Sequence, residues 1–185
     1  CITLENFATK RIITFGVGPF QNNDPNVHYV ECKDEFELVN MFMAYWEKNP
    51  PEVVTGWNCQ MYDIPYLAKR ITRLLGDKRV KSLSPWGLVT NEEIFLHGRP
   101  HTVYDIGGIT VLDYLDLYKK FTYKAQESYR LDYIGEVELG QKKLDHSEYD
   151  TFKDFYTKNW QKFVEYNIQD VKLVDALEEK MKLVE

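Results

Sequence analysis

The stretch VVTGWNCQMYDIPYLAKRITRLLG, residues 53–76, constrains the fold more than any other part of the chain. Val53 to Trp57 form a short, almost wholly apolar run of the kind expected in the buried middle of a sheet. Asn58 stands near its C-terminal end. DIPYLAKRITRLLG then reads as a helix, with Pro65 tolerated in the first turn and Gly76 placed to cap the far end. A strand that hands over to a helix is the building step of an α/β fold, and Asp63 falls at the handover. In open α/β sheets that carboxyl edge is where ligands bind.

The flanking segments extend the pattern. CITLENFATKRIITFGVGPF (1–20) alternates and predicts two antiparallel strands around a polar turn at Glu5 to Lys10, and VHYVEC (27–32) predicts a third strand. DEFELVNMFMAYWEK (34–48) puts Phe36, Val39, Asn40, Phe42, Met43 and Trp46 at near-helical spacing behind a capping-box entry, Asp34 with Glu37. SLSPWGLVTN reads as a loop. EEIFLHGRPHTVYDI (92–106) reads as a hairpin with its tip near His97 to His101, and GGITVLDYLDLYKKF as a strand entering a short helix. SYRLDYIGEVELG reads as a helix closed by Gly140, and Gln141 to Asp150 as a loop. The stretch from Thr157 onward predicts one long terminal helix with Trp160, Phe163, Val164, Ile168, Val171, Leu173, Val174 and Leu177 on its apolar face.

At 185 residues the chain fits one domain, 1–185, and 44% hydrophobic with 28% charged residues is the balance of an ordinary globular protein. The 23 basic against 29 acidic side chains leave a net charge of −6, so no global basic field advertises a DNA-coating protein. An enzyme that holds divalent cations is compatible with that sign. Three scattered cysteines without C-x-x-C spacing point to a reducing, intracellular compartment, and there is neither a run of about 18 apolar residues nor a signal peptide pattern.

Two features bear chemistry. Tyr166 and Asp170 lie four residues apart on the last helix and project from one face, about 40° apart at roughly 100° per residue. Asp170 is mid-helix and cannot be a cap, although a solvated Asp beside a half-buried Tyr is the plain alternative. Asp63 has the alternative of capping its helix, Asn58 that of a simple turn residue, and Tyr62 that of a core aromatic. His97 and His101 have i, i+4 spacing but flank a Gly and a Pro in a turn, so no metal is assigned to them.

NCQMYDIPYL resembles the second exonuclease motif of family B DNA polymerases, N-x-x-x-[F/Y]-D, and YNIQD resembles the third, Y-x-x-x-D. GWN, LSPWG, VLDYLDLYKKF and SYRLDYIGEVELG match the same domain in order, most closely as it occurs in T-even-type bacteriophage polymerases. The resemblance implies a 3′→5′ proofreading exonuclease with an α/β, ribonuclease-H-like fold: a mixed sheet flanked by helices, with an inserted β-hairpin. In such enzymes carboxylates hold two divalent ions, Mg²⁺ or Mn²⁺, about 4 Å apart for in-line attack on the terminal phosphodiester. Carried over, Asp63 and Asp170 are metal ligands and Tyr166 orients the attacking water. Asn58 touches the terminal nucleotide and Tyr62 stacks on a base. Arg99 at the hairpin tip is a phosphate contact, with a solvated turn as its alternative. Asp113 and Asp116 are hydrogen-bonding or capping residues near the site. The implied partners are the single-stranded or frayed 3′ end of primer DNA and the remaining polymerase domains, and the implied location is the cytoplasm, that of the host if the gene is a phage's.

One motif of the family is missing. Its first, D-x-E on the first strand, occurs nowhere in the chain, and Glu5 is the only acid before Asp24. The chain opens on Cys1 and is expected to be an N-terminally incomplete domain that begins just after that motif. Metal binding is then expected to be weak or absent and the fragment inactive, with any homo-oligomer a product of the exposed sheet edge. A non-catalytic polymerase module that only binds DNA or braces the enzyme, and a stand-alone exonuclease of the same fold, remain as alternatives.

Overall fold

The computed structural model describes residues 1–96, 98–140 and 151–184, with Phe152 described by its backbone alone. His97 and the loop expected over 141–150 lie outside the described residues. In chain order the elements are β1 (Ile2–Asn6), β2 (Arg11–Val17), β3 (Val27–Cys32), α1 (Glu35–Lys48), β4 (Val53–Gly56), α2 (Asp63–Leu75), the short α3 (Asp77–Val80), β5 (Val89–Leu96), β6 (Arg99–Ile106), β7 (Thr110–Asp113), α4 (Tyr114–Phe121), α5 (Leu131–Leu139), α6 (Phe152–Lys158) and α7 (Trp160–Met181). The chain is thus mixed α/β, with small sheets ordered β1-β2-β3, β4-β7 and β5-β6. Its described residues divide into two compact units: 1–38 with 126–140 and 151–183, and 39–96 and 98–125 with 184.

In the first unit β1 and β2 pair antiparallel, as the alternation of the N-terminal stretch predicts, and β3 joins β2 in parallel. One core cluster joins Ile12 and Val27 of this sheet to Val164 and Ile168 of α7, with Phe20, Tyr29 and Trp160 packed around it. Thr3 Oγ1 contacts the buried Thr14 Oγ1 at 3.0 Å and donates to Asn167 Oδ1 at 2.6 Å, which pins α7 to β1 by polar contacts as well as by burial. Helix α5 ends as predicted at Gly140, whose φ of 68° is left-handed. Its Gly135 meets α7 so closely that a Cβ there would stand 2.8 Å from both δ-carbons of Leu173.

Two expectations are revised. The terminal helix is not continuous from Thr157: the pattern breaks at Asn159, whose side chain accepts from Lys162 N at 3.0 Å and starts α7 afresh. An Asn that can cap outcompetes its own helical propensity. At the start of α1, Asp34 does accept from Glu37 N at 2.8 Å, but Glu37 returns its bond to Lys33 N, at 2.7 Å, one residue earlier than a regular capping box.

The second unit holds the remaining two sheets. Strand β4 pairs in parallel with β7, from Val53↔Thr110 to Gly56↔Asp113. It is not the fully buried strand its apolar composition predicts, for its residues are exposed or half-buried, Val53 by 45%. A two-stranded sheet has too few neighbours to enclose it. The hairpin β5-β6 forms with two corrections: β5 begins at Val89, inside the stretch read as a loop, and the tip is tighter than His97 to His101, because Leu96 pairs with Arg99 and Ile94 with His101, with Gly98 at φ 74°. Among the described residues no helix is long and apolar enough to cross a membrane.

Gly135→Ala should cost about 1–3 kcal/mol, the usual range for overpacking, as read by urea unfolding. Glu5 makes a second prediction. Its Oε2 is buried without a hydrogen-bond partner, and burial, with Asp175 adding its charge, raises its pKa. A raised carboxyl contributes stability that is present below its unfolded pKa and is lost as pH climbs through the folded one. Glu5→Gln should therefore raise the Tm at pH 7, and the gain should shrink towards pH 4.

Candidate active site

The turn from Trp57 to Tyr62 joins β4 to α2, and one side chain from another part of the sequence organises it. Asp113, last residue of β7 and N-cap of α4, is only 5% exposed. Its Oδ1 accepts from Leu115 N at 3.0 Å and from Asn58 N at 2.9 Å, and its Oδ2 accepts from Gln60 N at 2.9 Å. Burial raises its pKa, the three N–H donors pull the other way, and the charge of Asp116 adds to the rise. Asn58 holds a left-handed φ of 61°, a conformation Asn tolerates better than most residues. Below the turn, Trp57 packs against the fully buried Tyr114 and Tyr118, ring centroids 6.3 and 5.8 Å away.

The turn closes onto α2 through Tyr62 N to Asn58 O and Ile64 N to Cys59 O, both 3.0 Å. Asp63 is the first residue of α2 and exposed, and the N-cap position belongs to Tyr62, which makes no side-chain cap. Tyr62 is 65% exposed and so is no core aromatic. Its ring stacks on that of Tyr66, itself 59% exposed, at 6.3 Å and 8° between planes. Sequence reasoning passed over Tyr66, although its i, i+4 relation to Tyr62 on a helix was there to be read. Cys59 is buried inside the turn, and its thiol is pushed up to about 12 by burial and by the charges of Asp113 and Asp63.

In the first unit, α7 carries Tyr166 and Asp170 on one face, both half-buried. Tyr166 stands edge-on to the buried Phe155 of α6, with centroids 5.7 Å apart at 89°, and Oδ1 of Asp170 is screened from solvent. Asn167, next to Tyr166, is the residue held by Thr3. The candidate residues thus gather in groups: Asn58, Tyr62 and Asp63 in one turn, Tyr166 and Asp170 on one helix face, and Arg99 alone and exposed at the hairpin end. Asp63 lies in the second unit and Asp170 in the first. Among the described residues no group of three or more His, Cys, Asp or Glu can hold a metal ion, and Asp113 spends its carboxylate on main-chain N–H groups. Asp63 and Asp170 are hard oxygen donors of the kind a divalent ion takes, but two carboxylates supply only part of the roughly six or more ligands of such an ion.

The chain matches the model of the DNA polymerase family B exonuclease domain over residues 1–134. It is 36% identical over 157 residues to a DNA-directed DNA polymerase of Escherichia phage RB69, covering 84% of this chain and 17% of that protein. Against the DNA-directed DNA polymerase of Enterobacteria phage T4 the identity is 32% over 152 residues, 82% of this chain and 17% of the relative. The DNA polymerase catalytic subunit of Gallid herpesvirus 2 is 28% identical over 161 residues, 80% of this chain and 12% of that subunit. This chain belongs to the family B DNA polymerase exonuclease domain, on the side of the T4-like phage polymerases. It spans about a sixth of the length of the phage relatives it matches.

Asp113→Ala strands three main-chain N–H groups and should cost at least about 2 kcal/mol. It should also make Cys59 alkylate with iodoacetamide at pH 8 far faster than in the parent, where the thiol stays protonated and enclosed. Equal labelling rates in the two proteins would refute the clamp.

Proposed function

We propose that this chain is the 3′→5′ proofreading exonuclease part of a phage-like family B DNA polymerase, acting on the 3′-terminal phosphodiester of single-stranded or frayed primer DNA. The observation that carries the proposal is the clamped turn, in which a buried carboxylate fixes Asn58 and leaves Tyr62 and Asp63 in solvent at the end of a strand. A base is a flat apolar plate, and an exposed Tyr ring on a rigid helix start is a surface for it to stack on. Tyr66 doubles that surface. Asn58 offers an amide to the terminal nucleotide, while the hydroxyl of Tyr166 orients the attacking water and Asp63 and Asp170 are the acids of the reaction. Arg99, exposed at the hairpin end, meets a phosphate. The remaining polymerase domains are the partner, and the host cytoplasm is where the chain works.

The finer fold belongs to the same proposal. The domain is ribonuclease-H-like and lacks its first strand, and what supports an additional strand is that β1 is paired on one side only among the described residues, by β2. Two carboxylates are too few for two hard cations that keep most of their water. The 185 residues alone therefore bind magnesium weakly and release little or no nucleotide. A second reading, a non-catalytic DNA-binding or structural module of a polymerase, draws its support from the lack of any acidic cluster among the described residues.

The two readings part on one assay. A strand bearing D-x-E joined ahead of Cys1 should confer magnesium-dependent release of mononucleotides from 3′-labelled single-stranded DNA, and Asp63→Ala or Asp170→Ala in that extended chain should return release to background. The unextended chain should show no rise in Tm with millimolar magnesium. An extended chain that folds, binds DNA and releases nothing would establish the module instead.

A further inference from the structure

Beyond the clamped turn, the second unit carries a different polar surface at the end of α4. Lys119 and Lys120 occupy the last turn of this helix, where the negative end of its dipole accounts for cations. Phe121, Tyr123 and Lys124 need another explanation. Thr122 ends the helix in an extended conformation, φ −100° and ψ 125°, so Tyr123 and Lys124 lie past the reach of the dipole. Tyr123 is fully exposed and Phe121 is 53% exposed, so two neighbouring aromatic rings leave apolar area in water. Lys120 Nζ stands 5.7 Å from the Phe121 ring centroid. Asp116, one turn earlier, has the spacing for an i, i+4 ion pair with Lys120, yet neither Lys120 nor Lys124 forms an ion pair among the described residues. Two cations without an ion pair among the described residues therefore flank two exposed rings in a chain of net charge −6.

We propose that the end of α4 is a second contact for single-stranded DNA, in which Phe121 and Tyr123 present ring faces to bases while Lys120 and Lys124 meet the phosphates between them. An acidic polypeptide would use the lysines and leave the rings in water. A single strand uses both, because every nucleotide brings one π-face and one negative charge. The polymer is taken from the proofreading assignment, but the contact involves neither metal ions nor Asp63. Its use would be to hold the strand away from the nucleotide being removed, through interactions that do not depend on the sequence bound.

The test is fluorescence anisotropy of a 5′-fluorescein oligo(dT) titrated with the 185-residue chain, without metal, over a series of salt concentrations. Tyr123→Ala should weaken binding about tenfold, the worth of one stacked base, and Tyr123→Phe should restore it to within about twofold. The double variant Lys120→Gln, Lys124→Gln should flatten the plot of log K against log salt by about 0.7 for each phosphate that is no longer neutralised. Wild-type affinity and slope in all of these variants, or no binding by the parent chain, would overturn the proposal, as would equal competition by polyglutamate acting through the same residues. Tyr62→Ala separates the two assignments. Binding abolished there and unchanged in Tyr123→Ala rejects the α4 contact and leaves the proofreading turn, whereas the reverse pattern supports the α4 contact and rejects the turn.

Discussion

The second unit depends on a single buried carboxylate. Asp113 ends one strand, caps one helix and receives the N–H groups of a turn more than fifty residues earlier in the chain. Those donors lie in a partly buried turn, where a main-chain N–H without a partner costs more than an ordinary hydrogen bond returns. The register of β4 against β7 brings Gly56 opposite Asp113, and Thr55 Oγ1 donates to Leu112 O at 2.7 Å, so the strand pair delivers the carboxylate to the foot of the turn. Trp57 then fills the space beside Tyr114 and Tyr118. Strand, turn and both helices are joined at this point, and the exposed groups of the turn are rigid because the buried ones are.

The other group of candidate residues is held differently. On α7 the rotation that presents Tyr166 and Asp170 is set by the apolar seam of Val164 and Ile168 on one side and by the polar chain from Thr14 through Thr3 to Asn167 on another. A helix packed by burial alone can roll a little at small cost. One tied by a side-chain hydrogen bond next to the residue in question cannot do so without breaking it.

Local pattern made most of the elements legible. Period-two alternation announced β1 and β2, Asp34 with Glu37 announced α1, and Gly140 marked the end of α5 at the residue where it ends. What failed was whatever needed a partner to be known. The apolar run of β4 reads as buried, but burial is a property of neighbours, and here there is one strand beside it. Asn159 sits inside an apolar periodicity that runs on to either side, so only its cap reveals the break between α6 and α7. Asp113 was legible, through the family resemblance, as a hydrogen-bonding or capping residue, and it caps α4. Its grip on Asn58 and Gln60 was not, since nothing in either local sequence names the other. Tyr62 could be read as core or as surface with equal justice until its exposure was known, and Tyr66 passed as an ordinary helix residue.

The division of the chain has a bearing on how it comes to be folded. Apart from Val184, the second unit is one uninterrupted segment, Val39–Ala125, whereas the first is assembled from both ends, with Thr3 reaching Asn167 across 164 positions. Closing so long a loop is entropically slow, and synthesis supplies the N-terminal partner first. On a ribosome the middle of the chain can therefore mature early, while β1 and β2 wait for α7 to emerge, and chaperones would meet the protein in that half-finished state.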